Sequence, residues 1–213
     1  IGFFNLIIDT VPDYTPVPLF QLCDDALADG FTDFDLDSKT TEIATFGGVF
    51  NPNLTVTYHL DPLDAEAGTI PSLSSPYTNI INPESIWVRV EDATTTCFGT
   101  FEMELLVNSL PSPVTPTPLI ECDLDNDNFI AFDLESKNNE ILAGAGIIIS
   151  YHETRPEAEN GTNEQSSPYT NINFPIQTIF ARVEFTSTGC FDIVPMDLVV
   201  NPTPIIPVTI DPI

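Results

Sequence analysis

Positive charge is what this sequence has least of. Five Lys and Arg stand against 32 Asp and Glu, a net charge of −27 over 213 residues. The only lysines, Lys39 and Lys137, lie far apart. Such a chain repels phosphate backbones and anionic membrane surfaces, which argues against nucleic-acid partners. Long apolar runs are missing as well. Nothing approaches the roughly 20 residues of a membrane-spanning helix, so no helical insertion is expected. The four cysteines form no CxxC pair, and a zinc-ribbon or redox-motif reading has little support. No HExxH, GxSxG, Walker or Gly-rich phosphate motif occurs. Paired carboxylates could in principle serve a glycosidase, yet no pair stands out. The sequence therefore points away from an enzyme.

What is present is a duplication. SSPYTNI at Ser74–Ile80 returns at Ser166–Ile172, IWVRVE returns as IFARVE, TTCF as TGCF, and MELLVN as MDLVVN. From Tyr58 to Asn108 the copies are 92 or 93 residues apart. Earlier the offset is larger, because the first copy carries extra residues near Phe46–Asn53. Self-similarity at a fixed period signals a repeat architecture. Residues 13–111 and 112–204 read as two full repeats. FNLIIDTVP from Phe4 matches MDLVVNPTP from Met196. Residues 1–12 are thus expected to be the last strand of a preceding repeat, and 205–213 a linker or the start of a following one. The chain reads as a piece of a longer protein. PDYTPVP, PSPVTPTP and PTPIIPVTIDP punctuate the joints. Proline fixes φ and favours extended chain, so these are short semi-rigid spacers.

Period-two alternation marks strands. Phe101, Met103 and Leu105 alternate with Glu102 and Glu104, and Ile86, Val88 and Val90 share a face. About six or seven strands in a repeat of this size predict an all-β fold of tandem immunoglobulin-like sandwiches, set end to end. Two short helical turns are expected in each copy. One begins at Asp61-Pro62 and ends at Gly68, with Thr154 and Gly161 as its counterparts in the second copy. The other covers SKTTEI and SKNNEIL.

The order of motifs resembles the repeats of very large surface and secreted proteins of gliding Bacteroidota. It runs from an acidic loop after cysteine, through FDL, YH, a DAEAG-like turn, SPYTN and VRVE, to TGCF and a final strand ending NP. The resemblance implies export by the type IX secretion system, a place at the cell surface or in the medium, and adhesion or filament building without catalysis. Partners would be neighbouring repeats or other subunits of a fibre. The alternative is a polysaccharide- or surface-binding module. Trp87 and Phe180, aligned on the VRVE strand and directed outward, bear on that alternative.

Several residues are candidate site residues. Within-repeat disulfides, Cys23–Cys97 and Cys122–Cys190, are expected because that connectivity alone makes each repeat self-contained; buried free thiols are the alternative. Asp123, Asp125, Asp127 and Asp133 could converge on Ca²⁺, which takes six to eight oxygens. Asp24, Asp25, Asp29 and Asp35 offer a poorer set in the first copy. The plain alternative is a solvated acidic turn. His59 and His152 fall on the polar face of a strand, which suits a surface or edge role. Arg89 and Arg182 read as structural ion-pair partners. Asn53-Leu54-Thr55 and Asn160-Gly161-Thr162 fit the N-glycosylation sequon. Asp9-Thr10-Val11 resembles a short O-glycosylation motif of Bacteroidota.

Overall fold

The structure, a computed structural model, describes residues 10–69 and 71–204. The strand expected from Phe4 to Ile8 and the segment 205–213 lie outside the described residues. The chain divides between Ser109 and Leu110 into two compact units. The first contains β1 (Leu19–Cys23), β2 (Asp33–Phe34), α1 (Asp37–Ile43), β3 (Thr45–Phe46), β4 (Val49–Phe50), β5 (Leu54–His59), α2 (Pro62–Ala67), β6 (Tyr77–Thr78), β7 (Glu84–Asp92) and β8 (Phe98–Asn108). The second contains β9 (Leu119–Asp123), β10 (Ala131–Phe132), a 3₁₀ turn (Leu134–Lys137), α3 (Asn138–Ile141), β11 (Ile147–His152), α4 (Arg155–Asn160), β12 (Tyr169–Thr170), β13 (Ile176–Phe185) and β14 (Phe191–Pro202).

Each unit is all-β and immunoglobulin-like, with one full sheet and a thin second layer. The full sheet of the first unit runs β1-β8-β7-β5. Its β7–β8 and β5–β7 pairs are antiparallel, while β1 runs parallel to β8 with Cys23 opposite Asn108. The second unit repeats this as β9-β14-β13-β11, with Cys122 opposite Asn201. Alternation decides the faces, since successive side chains of a strand point to opposite sides. Ile86, Val88 and Val90 of β7 and Met103, Leu105 and Val107 of β8 are buried together. Glu102 and Glu104 of β8 face water.

The second layer is shorter than a sandwich of six or seven comparable strands. It consists of the β2–β6 ribbon, of two residues per strand, and the α1 turn. Phe34, Leu36 and Ile43 close the core from this side and are fully buried. The Tyr58 hydroxyl donates to the Leu36 carbonyl at 2.8 Å, tying the two layers together. Phe132, Leu134, Ile141 and Tyr151 do the same in the second unit. The extra residues of the first copy form the β3–β4 hairpin, which turns at Gly47-Gly48 with φ of 57° and 81°. These left-handed values suit glycine, which has no Cβ to clash.

The α2 and α4 turns end as the sequence suggests. Asp61 accepts from the Leu63 N–H, and Thr154 forms a capping box with Glu157. Gly68 and Gly161 close them in the left-handed conformation.

Candidate functional site: cysteines and acidic turns

The cysteines sit at the two ends of each unit. Cys23 ends β1 and lies opposite Asn108, the last residue of the 11-residue β8. Cys97 immediately precedes Phe98, the first residue of β8. At about 3.3 Å rise per residue the two are about 35 Å apart, whereas a disulfide needs Cα atoms within about 7 Å. The Cys23–Cys97 pairing is therefore corrected. Cys122 and Cys190 flank β14 in the same way, opposite Asn201 and just before Phe191, so that pairing is corrected too. Cys23 and Cys190 are disulfide-bonded. Cys97 and Cys122 carry free thiols, Cys122 exposed and Cys97 half-buried. Parallel pairing of β1 with β8 is the cause: it carries the first cysteine away from the hairpin that holds the second.

The chain enters the first unit beside Cys97 and leaves it beside Cys23. Tyr14 stacks on Phe101 with ring centroids 5.7 Å apart. Its ring lies so close to Gly99 that an added Cβ would meet the Tyr14 hydroxyl at 2.6 Å and would have to displace that ring. The Thr15 N–H donates to the Ile43 carbonyl at 2.9 Å, as Val114 does to Ile141 in the second unit.

The acidic turns follow the first cysteine of each repeat. Carboxylate oxygens of Asp123, Asp125 and Asp127 lie within 4.8 Å of one another, as do those of Asp24, Asp25 and Asp29. Asp123 is buried, and its two oxygens accept the N–H groups of Asn126 and Asn128 at 2.8 Å each. Asp24 accepts from Asp25 and Gly30 at 2.9 Å. A hydrogen bond with Asp123 pushes the Asp125 carboxyl above its ordinary value, and the Asp127 charge adds to the effect. Asp133 and Asp35 stand outside these clusters. Each accepts from the serine of a Ser-Pro loop, Ser167 and Ser75, at 2.9 Å.

Both copies match one family model, described as the Flavobacterium inter-domain disulphide bond domain, over residues 19–111 and 118–204. The chain belongs to this family. Its two FIDD repeats agree with the resemblance to Bacteroidota immunoglobulin-like repeats. No curated protein matches the chain. Among solved structures it is similar to a mutated three-immunoglobulin-domain segment of titin, at 10% identity and a TM-score of 0.27. That match covers 90% of this chain and 64% of the titin chain, so the chain spans under two thirds of it.

Other recurring residues hold each FIDD repeat together. Asn79 accepts from the Thr32 N–H and donates to the carbonyls of Gly30 and Ile81. Asn171 does the same with Ile130, Asn128 and Asn173. The asparagine of SPYTN thus staples the acidic turn to the loop before β7 or β13. Arg89 donates to the carbonyls of Ala65 and Glu66 at the end of α2, and forks onto Glu91. Its guanidinium lies 3.4 Å from the Phe98 ring centroid. Arg182 repeats the arrangement with Ala158, Glu159, Glu184 and Phe191. Both are helix-capping residues as well as ion-pair partners.

The surface role expected of the histidines is corrected. His59 and His152 are 3% and 1% exposed. The α2 and α4 turns pack against β5 and β11, covering what would otherwise be a wet face. His59 Nε2 lies 3.0 Å from the Thr57 hydroxyl, and burial lowers its pKa. His152 donates from Nδ1 to the Thr162 carbonyl at 2.7 Å. Trp87 and Phe180 are half-buried, and the Arg155 guanidinium lies 5.7 Å from the Phe180 centroid.

Proposed function

We propose that this chain is a non-enzymatic structural segment of a large exported protein, in which successive FIDD repeats are joined by a disulfide at each junction. The carrying observation is the placement of the two cysteines at opposite ends of each repeat. The first cysteine of a repeat lies where its chain leaves, and the hairpin cysteine lies where its chain enters. This placement supports a bond, at each junction, from the first cysteine of one repeat to the hairpin cysteine of the next. In this chain those are Cys23 and Cys190, the two bonded cysteines among four. The family's description supports an inter-domain bond. Proline-rich linkers already restrict bending, and a covalent bond across the joint restricts it further.

Disulfides persist in oxidising compartments, which supports an extracellular or periplasmic-type setting. The finer reading is a stalk, adhesin or filament of the Bacteroidota surface, exported by type IX secretion. Ca²⁺ bound at the two acidic turns belongs to the same reading, because carboxylates converge equally in both repeats. Electron microscopy of the native particle, labelled with antibody to this chain, tests the assignment. A labelled beaded fibre at the cell surface is expected. Label on a compact intracellular particle would overturn it.

A further inference from the structure

We infer that the outer face of the sheet in the first repeat carries a binding site for a neutral sugar unit, one hexose of a glycan chain. The site is a hollow of about 350 Å³, open to solvent on one side. It is lined by Thr55 and Thr57 of β5, Arg89 and Glu91 of β7, Gly68 at the end of α2, and Ala93. That volume lies at the small end of the range for ligand sites, about 300–1,000 Å³. The inference stands apart from the junction disulfide and gives the structural segment a ligand of its own.

Strand register builds the floor. Thr55 lies opposite Glu91 and Thr57 opposite Arg89. All four occupy the face away from the core residues Ile86, Val88 and Val90. Hydrogen bonds fix the Arg89 guanidinium before any ligand arrives. It donates to the carbonyls of Ala65 and Glu66, and from Nε and Nη2 to Oε2 of Glu91. The Phe98 ring lies against it with its centroid at 3.4 Å. Gly68 lies against it too, since a Cβ there would come within 3.3 Å of Nε. A guanidinium has five N–H groups, so one on Nη2 is left for a ligand. Both bonds to Glu91 end on Oε2, and Oε1 has no donor among the described residues. Thr55 is exposed, and its hydroxyl is likewise unpaired among the described residues.

A fixed donor beside a free acceptor and a hydroxyl matches the neighbouring hydroxyls of a sugar, each of which both donates and accepts. The pair is already held in place, so little freedom is lost on binding. Arg89 and Glu91, 2.6 Å apart, cancel each other's charge. The chain as a whole stands at −27, so uronic acids, sulfated sugars and phosphates are repelled. The second repeat lacks part of this floor. Arg182 and Glu184 keep the ion pair, but Ile148 lies opposite Glu184 where Thr55 lies opposite Glu91. Thr186 stands in place of Ala93, and its hydroxyl is taken by the Gly146 carbonyl. An isoleucine offers a sugar no hydrogen bond, so the site belongs to the first repeat.

The test titrates the isotope-labelled full chain with neutral oligosaccharides from starch, cellulose, mannan and galactan, and follows the backbone amides by NMR. Oligogalacturonate serves as the anionic control. At least one neutral series should shift Thr55, Thr57, Glu91 and Ala93 and saturate with a millimolar Kd. Ile148, Ser150, Glu184 and Thr186 should stay in place, and oligogalacturonate should move neither set. Thr55→Ile should weaken binding by about tenfold or more. The second repeat carries isoleucine at the equivalent position, so the fold is kept. Thr55→Ser, which keeps the hydroxyl, should bind within about threefold of the parent. The inference is overturned by no saturable shift from any of the four neutral series, by shifts centred on Trp87 or on the second repeat, or by undiminished binding to Thr55→Ile. Each of those outcomes leaves the Cys23–Cys190 peptide map as it is, so failure here is distinguishable from failure of the junction reading.

Discussion

Replacing Asn171 with Ala should destabilise the second repeat by about 3 kcal/mol. Its side chain is 1% exposed. It accepts from the Ile130 N–H at 2.6 Å and donates to the carbonyls of Asn128 and Asn173 at 2.9 and 3.0 Å. Alanine removes all three hydrogen bonds, each with a net contribution of about 1 kcal/mol and more where the abandoned group stays dry. A domain of this size has a total stability of about 5–15 kcal/mol, so the loss is a large share. For about 100 residues, 1 kcal/mol shifts Tm by roughly 4–8 °C. Calorimetry of the full chain should therefore show one transition lowered by roughly 12–24 °C and the other nearly unmoved. Hydrogen exchange should show the Ile130 amide losing protection. Asn171→Asp keeps the acceptor for Ile130 but sets an anion against two carbonyls, and should recover no stability. A change within about 0.5 kcal/mol, the usual size of a neutral surface substitution, would refute the stapling role.

Arg182→Leu should cost about 3 kcal/mol by denaturant unfolding, because charged hydrogen bonds to Ala158, Glu159 and Glu184 are lost together. Arg182→Lys should not restore it, since an ammonium lacks the planar fork. His59 has a folded-state pKa below 6.5, owing to burial. Its contribution is fully present above about pH 6.5 and is lost as pH falls through the lower folded value. Urea titrations at pH 7.5 and pH 5 should give a smaller stability difference for His59→Gln than for the parent. If the acidic turns hold Ca²⁺, saturation at a hundredfold over Kd adds about 2.7 kcal/mol. Chelator should then lower the melting temperature, and Asp125→Ala should remove most of that sensitivity in the second repeat; an unchanged melting curve in excess chelator would leave the turns as solvated loops.

The duplication, the strands and the helix caps were legible because they are local. SPYTN, VRVE and the Asp61-Pro62 start each announce themselves within a few residues. The histidines were misread for a physical reason. Strand periodicity placed His59 opposite Tyr58, which is correct, but both residues are buried because α2 covers the second face of β5. Arg89 was legible as an ion-pair partner, whereas Glu91 as that partner and the bonds to Ala65 and Glu66 come from the fold. Asp35 and Asp133 lie near the acidic turns in sequence, yet each is taken up by a serine 40 and 34 residues away, respectively. The cysteine pairing was hidden for the strongest reason. Two cysteines per repeat suggest a closed unit, and only the parallel register of β1 with β8 shows that they sit at opposite ends.

Peptide mapping of the oxidised chain under non-reducing conditions tests the central claim most directly. The account predicts a Cys23 peptide joined to a Cys190 peptide in the same molecule, with Cys97 and Cys122 alkylated as free thiols. A Cys23–Cys97 peptide together with a Cys122–Cys190 peptide would contradict it.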